Sequence, residues 1–108
     1  MRLHELDPDD LLQILEERGD AVTKAELAAA SADSSFKALE ASMAIAYRDA
    51  GMSMAEAEKR VRTRPEWAHE YKQVQAAHIL AQSAKRDLKR AESACDLYRT
   101  EAANRRKV

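Results

Sequence analysis

The stretch 51-GMSMAEAEKRVRTRPEW-67 holds one of the chain's two glycines, one of its two prolines and its only tryptophan. Ser53 and Glu56 form an S-x-x-E capping box, and Thr63 and Glu66 repeat the pattern ten residues on. Pro65 falls in what would be a first helical turn, where its missing N–H removes no helical bond. It also steers Arg64 away from α geometry. Gly51 suits the position just past a helix end, where φ is often positive. The stretch therefore reads as a corner: one helix stops at Ala50, a short helix runs over 54–62, and another begins near Arg64.

Upstream, Thr23 and Glu26 make a further capping box, with Val22 and Leu27 as its hydrophobic staple. From there Ala25, Ala29, Ala32, Phe36, Leu39, Met43, Ala46 and Ala50 recur at spacings 4,3,4,3,4,3,4. This heptad pattern predicts a helix over 24–50, about 40 Å long at 1.5 Å per residue. Downstream, Trp67, Tyr71, Val74, Ala77, Ala81, Ala84, Leu88, Ala91, Cys95, Tyr98 and Ala102 predict a helix over 64–105 of roughly 60 Å. Its one irregularity is a repeated spacing of 3 between Tyr71 and Ala77, a stammer.

At the N-terminus, Asp7 suits an N-cap, Pro8 the first helical position and Gly19 the C′ position, with Leu6 and Leu11 as a staple. A separate short helix over 8–18 is expected. The sum is an all-α single domain over 1–108: an antiparallel hairpin of two long helices with an alanine-rich, coiled-coil-like seam, a corner helix and a short N-terminal helix. The last helix outruns helix 24–50, so its far end needs cover from the N-terminal helix or from a second protomer.

Composition agrees. Glycine and proline number two each, 34% of residues are charged, and alanine supplies 22 of the hydrophobic residues. Alanine buries little area, so the core is thin and a partner or homodimer would stabilise it. Net charge is −1, yet residues 1–40 carry ten acidic and four basic groups, and residues 85–108 eight basic and four acidic. Cys95 is the only cysteine, which excludes an internal disulfide and fits a reducing compartment. There is neither a signal-peptide core nor an apolar run of membrane-spanning length, so a cytoplasmic protein with no membrane contact is expected.

Chemistry-bearing groups are sparse. His69 and His78 stand nine apart and His4 is remote, so none pairs at metal-ligand spacing on a helix. Cys95 has no histidine within a turn and reads as a small core residue. Gly-rich phosphate loops, C-x-x-C pairs and G-x-S-x-G elbows are absent. The expectation is no enzyme, no metal and no cofactor. Two segments remain. Asp7, Asp9, Asp10, Leu11, Leu12, Leu15, Glu16 and Glu17 form an acidic, leucine-rich partner-binding candidate, its acids also suiting a helix N-terminus. Lys85, Arg86, Lys89 and Arg90, extended by Arg99, Arg105, Arg106 and Lys107, form a basic stripe suited to phosphates or an acidic partner. Asp87, Glu92, Asp96 and Glu101 interleave with it, as on a solvated helix with i,i+4 pairs.

Two stretches together, 45-IAYRDAGMSMAEAEKRVRTRPEW-67 and 97-LYRTEAANRRKV-108, resemble the small coiled-coil proteins of tailed phages and prophages found in early and recombination gene clusters. The resemblance spans about residues 23–106 and transfers no catalytic or binding residue. It implies a viral origin and a non-enzymatic role. Together with the segregated charge, the expectation is a binding protein in the bacterial host cytoplasm, accessory to phage DNA metabolism or recombination through contacts with host or phage proteins, with nucleic acid as an optional contact of the basic stripe. The alternative expectation is an inhibitor of a bacterial defence system, anti-CRISPR-like, docking on a nuclease or nucleic-acid-binding complex through its acidic face.

Overall fold

The computed structural model describes residues 7–106. Among them are three helices and no strand: α1 Pro8–Asp49, α2 Met54–Arg62 and α3 Pro65–Arg106. The chain packs as two compact units, Met1–Ala25 with Leu80–Val108 (the terminal unit) and Glu26–Ile79 (the corner unit).

α1 is one helix, which corrects the expected break between 8–18 and 24–50. Gly19 lies inside it, not at a C′ position. Leu11, Leu15, Arg18, Val22, Ala25 and Ala29 are all buried or half-buried and keep the 4–3 spacing through the glycine without a change of phase. A break would forfeit helical bonds and that alignment, whereas a helical glycine costs roughly 1 kcal/mol relative to alanine. Thr23 does not cap; its Oγ1 donates to the Gly19 carbonyl at 3.3 Å, the back-bond of a mid-helix threonine.

In the terminal unit, α1 begins as expected. The Asp7 carbonyl accepts from the Leu11 N–H at 2.9 Å, with Asp9 and Asp10 in the first turn. Leu6, the other half of the expected staple, lies outside the described residues. Leu11 is 2% exposed, and Ala81, Ala91 and Ala94 are buried in the same unit. Pro8, Leu11 and Leu12 face Cys95, Tyr98 and Arg99, so the start of α1 covers the end of α3. Arg18 Nη1 donates to the Asp87 carbonyl at 3.1 Å.

In the corner unit, Gly51 adopts φ +99°. Its N–H donates to the Arg48 carbonyl at 2.9 Å, and that of Met52 to Tyr47 at 3.2 Å. This is the paired Schellman closure, with glycine at the left-handed position. Ser53 caps α2, its Oγ accepting from the Glu56 N–H at 3.3 Å. Ala57 and Val61 are buried. The Thr63/Glu66 box does not form. Thr63 keeps α geometry, φ −86° and ψ −9°, as the C-cap of α2, and its hydroxyl donates to the Arg60 carbonyl at 2.6 Å. An N-cap needs an extended backbone. Arg64 takes that place, its carbonyl accepting from the Ala68 N–H at 3.3 Å.

Two details of the seam are also corrected. Ala46 and Ala50 are exposed, while Ala44 and Tyr47 are half-buried, because α2 lies along that flank of α1. Tyr71 is 41% exposed and Glu70 holds its place in the seam. With Glu70 the spacing runs 3,4,3,4 from Trp67 onward, and the stammer disappears. The Tyr71 ring instead stacks on Trp67, centroids 5.0 Å apart, and meets Phe36 at 6.0 Å.

Candidate functional site

Both segments singled out in the sequence belong to the terminal unit. Asp7, Asp9, Asp10, Glu16 and Glu17 are all exposed along the first turns of α1. Glu17 accepts from Gln13 Nε2 at 3.1 Å. The three leucines among them separate: Leu11 belongs to the core, Leu15 is half-buried and Leu12 is 59% exposed. Only Leu12 and the carboxylates can meet a partner without local unfolding.

Lys85, Arg86, Lys89, Arg90, Arg99, Arg105 and Arg106 are exposed on α3. Lys107 lies outside the described residues. Arg90 sits 3.8 Å from Asp87, and Arg105 3.9 Å from Glu101. Exposed pairs of this kind contribute little, at most about 1 kcal/mol, and release their cations readily to a stronger anion. Arg86 and Lys89 have no ion pair among the described residues.

The acidic and basic segments meet at a shallow cleft of about 220 Å³ lined by Pro8, Leu11, Leu12, Cys95, Tyr98 and Arg99. The cleft brings one exposed leucine and one guanidinium to the same place. Cys95 is half-buried there beside Arg99, and no histidine or carboxylate lines the cleft.

Neither histidine in the described residues joins a metal-ligating cluster, and no group of three or more candidate ligands occurs among them. His69 Nε2 bonds Gln73 Nε2 at 2.9 Å. His78 Nε2 meets both carboxylate oxygens of Asp33, at 3.0 and 3.1 Å, tying α3 to α1 in the corner unit. His4 lies outside the described residues. No described helix is long and apolar enough to cross a membrane.

The corner unit holds features that the sequence reading passed over. Trp67 Nε1 donates to Glu40 at 3.2 Å, and its ring lies 5.6 Å from Phe36. Lys59, Arg60 and Arg62 crowd the last turn of α2, where cations complement the helix dipole. The Glu66 carboxyl is held below its ordinary value chiefly by its own backbone N–H, against desolvation, with Arg64 adding to the lowering. Arg64 Nε lies 3.3 Å away. A search of protein families, curated proteins and solved structures finds no match to this chain.

Proposed function

We propose that the chain is a non-enzymatic binding protein, an antiparallel helical hairpin with an alanine seam that works by presenting its helix faces to other macromolecules. The observation that supports this reading is the distribution of apolar side chains. Among the described residues the buried hydrophobics are Leu11, Val61 and five alanines, while Leu12, Leu27, Ile45, Met54, Tyr71, Ile79, Leu80 and Leu97 are exposed. A chain that leaves these eight larger hydrophobics exposed is suited to association. The resemblance in sequence is what supports a role in phage DNA metabolism or recombination, through protein contacts, with the basic row of α3 as an added phosphate-binding element.

Two assays test it. In salt-titrated anisotropy with single- and double-stranded DNA, the full chain binds at low salt, and charge reversal at Lys85, Arg86, Lys89 and Arg90 abolishes binding. Absence of binding in the folded wild type removes nucleic acid from the proposal. Capture from host lysate then tests the protein partner. The exposed acidic row supports a second reading, an inhibitor of a defence nuclease or nucleic-acid-binding complex. Recovery of such a complex, lost on reversing Asp7, Asp9, Asp10, Glu16 and Glu17, would favour it over recombination partners.

A further inference from the structure

Three aromatic rings meet in the corner unit. Trp67 and Tyr71, one turn apart on α3, stack nearly parallel, their centroids 5.0 Å apart and their planes 7° from each other. Phe36 of α1 lies 5.6 Å from Trp67 and 6.0 Å from Tyr71, tilted against both. The three centroids make a nearly equilateral triangle. Phe36 therefore flanks the stack and does not cap it, because a ring on the outer face of Tyr71 would stand about twice as far from Trp67 as Tyr71 does. Trp67 and Phe36 are half-buried and belong to the packing of α3 on α1. Tyr71 is different. It stands outside the seam, in which Glu70 holds the place, and it is 41% exposed. Its hydroxyl has no hydrogen-bond partner among the described residues.

A parallel ring pair with one uncapped side presents a flat π face, and nucleobases stack on such faces whatever their sequence. The groups around Tyr71 suit the same partner. Lys72 adjoins it on the side away from the seam, exposed and without an ion pair among the described residues. Arg64 stands two turns earlier, at the start of α3, where exposed Glu66 lies 3.3 Å from its Nε. Such an exposed pair gives way readily to a phosphate. One turn beyond Tyr71, Gln75 is an exposed amide, with a donor and an acceptor for a base edge. Carboxylates do not oppose a phosphate here. Beyond Glu70, α3 carries none before Asp87. On α1, Glu40 accepts from Trp67 and Asp33 meets His78. An apolar side chain of a protein partner has no use for cations on both sides of the ring, whereas a nucleotide strand brings a base and its flanking phosphates together. In a duplex the faces of each base are covered by its neighbours, so a platform of this kind selects unpaired strands.

We propose that Tyr71, backed by Trp67, is a stacking platform for an unpaired base of a single-stranded nucleic acid, with Lys72 and Arg64 on the adjoining phosphates. The site uses no residue of the basic row of α3 and does not depend on that row. Fluorescence anisotropy of the full chain at about 50 mM salt, with a labelled oligothymidine of about 12 nucleotides, tests it. Tyr71→Ala weakens binding between about fivefold and about a hundredfold, the loss of one base–ring stack. Tyr71→Phe keeps it, and Lys72→Glu weakens it about threefold or more. A duplex of the same length is indifferent to Tyr71→Ala. A bromouracil strand photo-crosslinks to Tyr71 or Trp67 on peptide mapping. Oligouridine in place of oligothymidine shows whether RNA or DNA is the preferred strand. Should Tyr71→Ala lose helix content by circular dichroism, Tyr71→Leu, which keeps apolar bulk without the π face, is read in its place. Single-strand binding that survives charge reversal at Lys85, Arg86, Lys89 and Arg90 and still needs Tyr71 supports the platform on its own. Binding equal in the wild type and Tyr71→Ala overturns the platform and leaves the basic row standing. Absence of single-strand binding at about 100 µM protein overturns it too, whatever the basic row does with a duplex.

Discussion

Two phrases of this sequence are nearly the same, 19-GDAVTKAE-26 and 51-GMSMAE-56: a glycine, then Ser or Thr, then Glu three residues on. At Gly51 the chain leaves the helix with φ +99°, and Ser53 caps the next one. At Gly19 the helix runs straight on, and Thr23 turns its hydroxyl back to the glycine's own carbonyl. Both glycines have open space where a Cβ would stand, so crowding does not separate them. Tertiary packing does. On both sides of Gly19 the apolar stripe of α1 stays in phase. After Gly51 the chain has to supply the residues, from Ala57 to His78, that pack onto α1 in the corner unit. A glycine and a cap permit a break; the destination of the following chain decides whether it is used.

The comparison can be broken most forcefully with Gly19→Pro. In a continuous helix this substitution lowers stability by about 3 kcal/mol or more, read from urea midpoints, because it removes a helical bond and clashes with the preceding turn. A near-neutral result would mean that α1 is interrupted there. Alanine at the two glycines should act with opposite signs. Gly51→Ala destabilises by about 1 kcal/mol or more, since its φ is left-handed, while Gly19→Ala stabilises by roughly 0.5–1 kcal/mol. The capping hydroxyls give a similar contrast: Ser53→Ala loses about 1 kcal/mol and Thr23→Ala is close to neutral. The smallest effect is expected at Glu66. Its folded pKa is depressed, so its contribution is present above the unfolded carboxylate range and disappears as pH falls through the folded value. The deficit of Glu66→Gln relative to wild type, measured by thermal denaturation, should shrink between about pH 6 and about pH 2.

Legibility followed how local the deciding physics was. The Schellman glycine, the Ser53 cap, α2 and the long apolar repeat are written in neighbouring residues, and an all-α architecture with two long helices and a corner helix can be read from them. The continuity of α1 could not be read by looking for apolar residues alone, because Arg18 occupies the seam position just before Gly19. Its aliphatic stem fills the place of a hydrophobe while its guanidinium bonds Asp87. Glu70 misled in the same way, a charged residue in the seam beside a more attractive Tyr71. Thr63 has the sequence of an N-cap but the backbone of a helix end. Leu11 shows the limit for candidate sites: spacing marks it as apolar, and only packing shows that it is enclosed while Leu12 is not. The His78–Asp33 bond spans 45 residues, beyond any local pattern.

Trp67 is the chain's only tryptophan and Cys95 its only cysteine, and they fall one in each unit, each half-buried. The molecule therefore carries two natural reporters that do not overlap. Indole emission, sensitive to loss of the Glu40 bond and the Phe36 contact, follows opening of the corner unit; the rate at which a thiol reagent reaches Cys95 follows opening of the terminal unit. If the two rates of opening differ, the unmodified protein reveals which half of its helices comes apart first.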